Sequence, residues 1–180
     1  MHREPTDSHV PFTAARTSLL ACALVLSIGF SSCKRTSTPL AGSAASAPAL
    51  AQRVLAALER RDVTALREVV LSEQEFREQV WPELPAARPE RKLPFSYVWG
   101  ELRQKSEAAL AATLTAQGGQ RYELVAVRFL GDTTHFQTYL VHRKTELIVQ
   151  DATGTEMQLR LFGSVLEKDG RFKVFSYVLD

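Results

Sequence analysis

Cysteine is nearly absent from this chain. Only two of its 180 residues are cysteines, Cys22 and Cys33, and both lie close to the start. Residues 34–180 therefore offer no thiol nucleophile, no disulfide and no cysteine metal site. Serine nucleophile elbows, phosphate-binding glycine loops, zinc-ligand spacings and EF-hand loops are missing from the sequence as well. The sequence thus predicts neither a cofactor nor a metal, and it assigns no catalytic residue.

The chain also lacks an excess of charge of either sign. Lysine and arginine total 22 and aspartate and glutamate total 20, so the formal net charge at pH 7 is +2. Nucleic-acid-binding proteins concentrate basic residues in a patch, whereas acidic and basic residues are interspersed here. We therefore predict no nucleic-acid partner, and we expect no electrostatic attachment of the protein to a membrane.

A hydrophobic run long enough to span a membrane is missing, but a shorter one lies near the start. Residues 17–32 are uncharged, their apolar centre is 19–30, and Arg3 and Arg16 precede them. A bilayer span requires about 20 apolar residues, so this run is typical of the hydrophobic part of a secretion signal. We expect residues 1–32 to be a signal peptide.

The end of this run, Phe-Ser-Ser-Cys at 30–33, resembles the lipobox of bacterial lipoproteins. In that family, small residues precede a cysteine that is diacylated and becomes the new N-terminus. The resemblance implies an exported protein whose contact with the membrane is a lipid on Cys33. Because Lys34 follows the cysteine instead of aspartate, it also implies the periplasmic side of the outer membrane in a cell with two membranes. The alternative is a soluble secreted protein cut after Ser32 or within 41–47.

The sequence after the cysteine predicts a tether and then one domain. Residues 34–48 consist mostly of serine, threonine, alanine, proline and glycine, which bury too little apolar surface to offset the entropy of ordering. We therefore interpret 33–48 as the lipidated cysteine and a flexible linker. Residues 49–180 are long enough for a single domain with its own core.

Helical periodicity marks the first half of this domain. Apolar residues recur on one face at 50–58, and Asp62 is predicted as the N-cap of a second helix. Ser72 and Glu75 fit a capping box that opens a third, short helix. A long, alanine-rich helix is expected over 98–116, with Leu102, Ala109, Leu110 and Leu114 facing inward.

The second half predicts antiparallel strands. We expect them at 121–130, 135–150, 157–167 and 171–179, and the second of them is long. The sequence Lys-Asp-Gly at 168–170 favours a tight hairpin between the last two. Short links between consecutive strands predict a meander, that is, one four-stranded antiparallel sheet.

Helices followed by a long, bent, four-stranded sheet resemble the nuclear-transport-factor-2-like (cystatin-like) superfamily. The likeness covers 49–180 and rests on the element order, on the long strand around Leu140 and on the ending Gly-Arg-Phe-Lys-Val-Phe-Ser-Tyr at 170–177. It implies an α+β fold in which the strongly bent sheet packs around the N-terminal helices as a cone with a pocket, and it allows a homodimer. Members include ketosteroid isomerase, polyketide cyclases, dehydratases and non-enzymatic binding modules, so the fold leaves the activity open.

Two histidines, His135 and His142, lie in the predicted domain. On one strand, a separation of seven residues places them on opposite faces, so we do not expect them to share a metal or a proton. Either one is a candidate general base if it faces the interior of the cone, and a structural histidine is the alternative. Four tyrosines are candidate pocket hydroxyls: Tyr97, Tyr122, Tyr139 and Tyr177.

Residues 81–94 contain four prolines and predict a stiff, extended connection that begins where Pro82 ends the third helix. Trp81 stands at one end of it, and Tyr97 and Trp99 follow the other end. Long connections often carry function, so we hypothesise that these aromatic residues flank a surface for a ligand or partner. The alternative is a loop that merely covers the core.

Two classes of function remain open from the sequence. The first is a non-enzymatic, lipid-anchored envelope protein that binds a partner protein or a small apolar ligand. The second is a small-molecule isomerase, cyclase or hydrolase that uses a residue inside the cone. The enzyme would require a carboxylate or histidine with a strongly perturbed pKa inside the pocket.

Overall fold

The structure, a computed structural model, describes residues 39–179. The predicted signal peptide and Cys33 lie outside these residues. Within the described part of the chain, no helix combines the length and the hydropathy that crossing a membrane requires. The expected α+β class is confirmed, because helices precede a set of antiparallel strands.

Side-chain caps begin the first three helices. Asp62 accepts a hydrogen bond from the Ala65 amide, and Ser72 and Glu75 form the predicted capping box. Both predictions are confirmed, and Ser46 caps the first helix in the same way. The helices are α1 (Ala47–Glu59), α2 (Val63–Glu68), α3 (Glu73–Glu75), continued by a π-helical turn at Phe76–Val80, and α4 (Phe95–Gln117).

The proline-rich segment is not the extended connection that we predicted. It forms three short 3₁₀ turns, Trp81–Glu83, Pro85–Ala87 and Pro89–Arg91. Each turn has its proline at the first or second position, where the fixed φ of proline suits a helix and its missing N–H costs nothing. Pro82 therefore does not end the third helix abruptly, because the chain passes from that helix directly into a 3₁₀ turn.

The strands form two antiparallel sheets, so the expected single sheet of four strands is wrong. One sheet has the order β1-β4-β5 and the other the order β2-β3-β6-β7. The predicted strand over 135–150 is divided among β2, β3 and β4, and the one over 157–167 between β5 and β6. The strands are β1 (Glu123–Phe129), β2 (Thr133–His135), β3 (Leu140–His142), β4 (Thr145–Gln150), β5 (Glu156–Leu159), β6 (Ser164–Lys168) and β7 (Arg171–Ser176).

Two local features break the expected long strand. Residues 136–139 turn the chain between β2 and β3, and the Phe136 amide donates to the Tyr139 carbonyl at 2.9 Å. Lys144, between β3 and β4, has a φ of 53°, which interrupts regular pairing. The predicted hairpin between β6 and β7 is confirmed, with Asp169 and Gly170 both at positive φ.

Two buried clusters form the core. The first contains residues of α1, β4 and β6, and the second contains residues of the π-helical turn, β3 and β6. Neighbouring residues of β6, Val165 and Leu166, belong to different clusters, because successive side chains of a strand point to opposite faces. The four-stranded sheet is therefore covered on both faces. Central members of the first cluster are Leu50, Val54, Leu58, Leu147, Val149 and Val165; those of the second are Phe76, Val80, Tyr139, Val141 and Leu166.

Residues 39–46, which we call the N-terminal strap, belong to the folded domain. Leu40 is buried in the second cluster, and Ala44 exchanges two backbone hydrogen bonds with Phe172 at the edge of β7. This part of the chain was expected in the flexible linker, and the expectation is wrong for it. The strap is ordered although its residues are small, because its backbone pairs with β7. This pairing satisfies backbone groups that would otherwise remain unpaired at the edge of the sheet.

A buried ion pair fastens the strap to the rest of the domain. The Lys173 ammonium lies 2.6 and 2.8 Å from the two carboxylate oxygens of Glu75 and 2.6 Å from the Ala41 carbonyl. Glu75 also accepts hydrogen bonds from the amides of Ala41 and Ser72, both at 2.8 Å. The pair is thus fully hydrogen-bonded, and it joins the strap, the capping box and β7.

Candidate functional site

A cavity of about 230 Å³ borders α2, α4 and the end of β7. Most of its lining is apolar or aromatic, and charged side chains contribute the remainder. The apolar and aromatic residues are Val70, Leu71, Trp99, Leu102, Leu110, Phe175 and Tyr177; the polar ones are Arg67, Glu73, Arg103, Ser106 and Glu107. We call this the α2–α4 cavity.

Helix α4 supplies half of the lining. Its contributing residues follow one another at helical spacing, so they share one face of the helix: Trp99, Leu102, Arg103, Ser106, Glu107 and Leu110. The sequence predicted Leu102 and Leu110 on the inward face. Ser106 was missed, because its polar side chain interrupts the apolar pattern although the residue is buried.

Tyr177 is buried beside the cavity and held at two points. Its hydroxyl donates to the Leu66 carbonyl at 2.9 Å, and its amide donates to the Ser106 hydroxyl at 3.0 Å. Burial raises the pKa of Tyr177 above its ordinary value, and the nearby Glu107 carboxylate raises it further. The phenol therefore stays neutral at physiological pH, with its proton committed to a backbone oxygen.

An exposed ion pair, Arg67 with Glu107, contributes to the lining of the cavity. Arg67 binds Glu107 through both ends of its guanidinium, with Nη2 2.7 Å from Oε2 and Nε 3.1 Å from Oε1. The hydrogen bonds from Arg67 are the main cause of a lowered pKa of Glu107. A general acid or base working near neutral pH needs a carboxyl pKa shifted in the other direction. Glu107 is thus suited to bind a cation such as Arg67 as a carboxylate, and not to act as a general acid or base.

The structure brings Trp81 and Trp99 together but separates Tyr97 from them. The rings of both tryptophans pack against Phe76, with centroid distances of 6.4 and 5.3 Å, and Trp81 also meets Phe95 edge-on at 5.6 Å. Only Trp99 lines the α2–α4 cavity. Its indole Nε1 is buried and has no hydrogen-bond partner within residues 39–179. Tyr97 is 59% exposed and lies outside the cavity lining.

The two histidines do not share a strand, which corrects the geometry that we expected. His135 is exposed on β2, whereas His142 lies on β3 opposite Thr133. The nitrogens of His142 lie 3.0 Å from the Thr133 hydroxyl and 2.8 Å from the Glu167 carboxylate, and its ring stacks on Phe129 at 4.4 Å. Both nitrogens are therefore engaged, as in a structural histidine. Neither histidine lines the α2–α4 cavity.

Two broader findings complete the description of the site. Across residues 39–179, no group of three or more histidine, aspartate or glutamate side chains is placed to hold a metal ion. Comparison of the chain with protein-family models, curated proteins and solved structures finds no match. A proposal about function therefore depends on the α2–α4 cavity and on the N-terminal sequence.

Proposed function

We propose that this protein is a lipid-anchored protein of the cell envelope, held by a lipid on Cys33, that binds a small apolar ligand in the α2–α4 cavity. The observation that carries the proposal is the largely apolar cavity with a few charged groups in its lining, which is the usual composition of ligand sites. Pockets for drug-sized molecules measure roughly 300–1,000 Å³. The smaller volume here suits a ligand the size of an aromatic ring or a short acyl chain.

The ionisable groups of the cavity favour binding over catalysis. Glu107 is held as a carboxylate by Arg67, and Tyr177 is held as a neutral phenol that donates to a backbone carbonyl. Proton transfer near neutral pH would need a group poised between its two states. The remaining acid of the lining, Glu73, forms an ion pair with Arg77 at 2.8 Å. We therefore favour a binding module over an isomerase or cyclase.

The proposal retains the nuclear-transport-factor-2-like interpretation of the fold. Backbone hydrogen bonds continue across the breaks between the two sheets: the Thr145 amide donates to the Gly163 carbonyl at 2.8 Å, and the Leu130 amide to the Lys144 carbonyl at 3.1 Å. In this interpretation the two sheets together form the wall of the cone. The cavity then corresponds to the pocket of the cone.

The lipid anchor predicts fatty-acid labelling that depends on one cysteine. A bacterium that processes lipoproteins and expresses the full chain should incorporate an alkyne fatty acid into the protein, and Cys33→Ala should abolish both the label and membrane association. Cys22→Ala is the matched control and should keep the label, because that residue lies in the predicted signal peptide. A label that survives in Cys33→Ala, or a wild-type protein without label, would contradict the anchor.

Ligand binding predicts that filling the cavity abolishes stabilisation by a small apolar probe. Toluene and hexanoate should raise the melting temperature of the wild type, since a ligand at about 100 times its Kd contributes about 2.7 kcal/mol to stability. Val70→Phe should remove this shift because Val70 lines the cavity. Val125→Phe makes the same change at a residue that is 50% exposed and outside the lining, and it should keep the shift.

The fluorescence of Trp99 provides a second measurement of the same binding. In a Trp81→Phe background Trp99 is the remaining tryptophan, so a probe in the cavity should change its emission. The proposal fails if neither probe changes the melting temperature or the emission of the wild type. It fails equally if Val70→Phe responds as the wild type does.

A further inference from the structure

The order of the strap shortens the length of chain between the proposed lipid on Cys33 and the folded domain. Five residues, 34–38, separate Cys33 from Pro39, where the described structure begins. Fully extended, the six residue-to-residue steps from Cys33 to Pro39 span at most about 20 Å, whereas the linker expected from the sequence, ending at Pro48, would span roughly 50 Å. We propose that the strap and the cationic side chains bound to it lie against lipid phosphate headgroups, so that the domain rests on the bilayer surface. This inference rests on the lipid anchor of the proposed function.

The strap cannot release additional tether without losing buried contacts. Leu40 is buried, the Ala41 carbonyl is bound by Lys173, and Ala44 is paired with β7. Gly42 has a φ of +63°, and a Cβ at this position would lie 2.7 Å from the Glu68 carbonyl oxygen. The backbone is therefore seated directly on the end of α2. The effective tether ends at about residue 39.

Two arginine side chains of the domain bind the strap. Arg53 Nη1 donates to the Gly42 carbonyl at 2.6 Å, and Arg171 donates to the Ser43 carbonyl at 2.7 Å and to the Ser43 hydroxyl at 3.1 Å. Both arginine residues are exposed, so each keeps part of its guanidinium available to solvent.

This local concentration of cations is hidden in the balanced charge of the whole chain. Arg53 and Arg171 bind the strap and are exposed, whereas the Glu75 carboxylate that the Ala41 amide contacts is paired with Lys173. Glu68 packs its backbone against Gly42. Basic residues next to a membrane anchor are attracted to anionic headgroups, and a lipid combined with basic residues holds a protein more firmly than one lipid alone. Arg67, the residue before Glu68, lines the α2–α4 cavity, so the proposed membrane surface and the cavity are neighbours.

Because Cys22 and Cys33 are the only cysteines of the sequence, a cysteine introduced into the domain can be labelled at a single known position. The full chain carrying Ala45→Cys, an exposed strap position, or Met157→Cys, an exposed position on β5, is purified as the lipoprotein and labelled with a fluorophore. Each protein is placed in vesicles of phosphatidylcholine and phosphatidylglycerol in equal parts that contain a nitroxide headgroup lipid. We expect stronger quenching of the label at 45 than at 157. Equal quenching, or stronger quenching at 157, would overturn the inference.

A lengthened tether separates the contribution of reach from that of charge. A Gly-Ser segment inserted after Thr38 restores the reach of the expected linker. With this insertion, the label at 45 should still be quenched on the vesicles that contain phosphatidylglycerol. On pure phosphatidylcholine vesicles it should no longer be quenched. Loss of quenching on both would overturn the part assigned to the arginines. Flotation of the protein with the vesicles reports the lipid anchor independently. A protein that does not float refutes the anchor itself, whereas one that floats without the quenching difference refutes only the orientation.

Discussion

Replacing Lys173 by methionine is expected to lower the free energy of unfolding by about 3–5 kcal/mol, because it leaves a buried carboxylate without its counter-ion. The side chains of Lys173 and Glu75 are only 3% and 8% exposed. The same change removes the ammonium donor from the Ala41 carbonyl, which loosens the strap. Urea denaturation of the purified protein, followed by circular dichroism, measures the loss.

Two further variants test whether the buried charge is the cause. Lys105→Met removes an exposed lysine that is paired with Glu101 at 3.1 Å, and it should cost less than about 1 kcal/mol. The double variant Glu75→Gln and Lys173→Met should be more stable than Lys173→Met alone, because the uncompensated charge is gone. A loss in Lys173→Met no larger than that in Lys105→Met would show that the pair is not buried in solution.

A steep loss of stability at alkaline pH is the second large effect that we expect. Burial raises the pKa of Tyr139 and Tyr177, with smaller contributions from Glu83 and Glu107. An unfolded tyrosine loses its proton near pH 10, whereas the folded ones retain theirs. Below pH 10 both states are protonated and stability is unaffected. Above it, each tyrosine lowers the free energy of unfolding by about 1.4 kcal/mol per pH unit, until the folded state also ionises.

The slope of stability against pH isolates this contribution. Tyr139→Phe with Tyr177→Phe should make the slope above pH 10 shallower by about 2.8 kcal/mol per pH unit, while lysines act equally in both proteins. At neutral pH the same variants are less stable, because each hydroxyl donates to a backbone carbonyl, of Val80 and of Leu66. Tyr97→Phe, at an exposed tyrosine, is the matched control for removing a phenol hydroxyl. An unchanged slope in the double variant would refute the prediction.

Sequence patterns predicted the parts of the fold that are determined within a few residues. The Asp62 cap, the capping box of Ser72 and Glu75 and the hairpin at Gly170 each depend on neighbours along the chain. The break at 136–139 gave no such signal, because Phe-Gln-Thr-Tyr contains none of the residues that mark turns. The alternation of apolar and polar residues therefore predicted one continuous strand through a segment in which the chain reverses direction.

Features formed by distant residues were the ones that the sequence did not reveal. The strap has the composition of a linker, and it is ordered by β7, which follows it by more than 100 residues. Leu102 and Leu110 were predicted to face inward, Trp99 was predicted to flank a surface for a ligand or partner, and Tyr177 was one of four candidate hydroxyls. Arg67 and Glu107 were not predicted to meet, because nothing local places α2 beside α4.

The pairing of the strap with β7 also constrains the order in which the native structure forms. Ala44 binds Phe172, and Ser43 binds Arg171, contacts separated by 128 residues. Such contacts carry a large loop-closure entropy and form late in folding. The last strand must have emerged from the ribosome, or from a translocation channel, before the first ordered segment finds its partner. The start of the domain is therefore the part that remains unprotected for longest during synthesis, and degradation of incomplete chains should begin there.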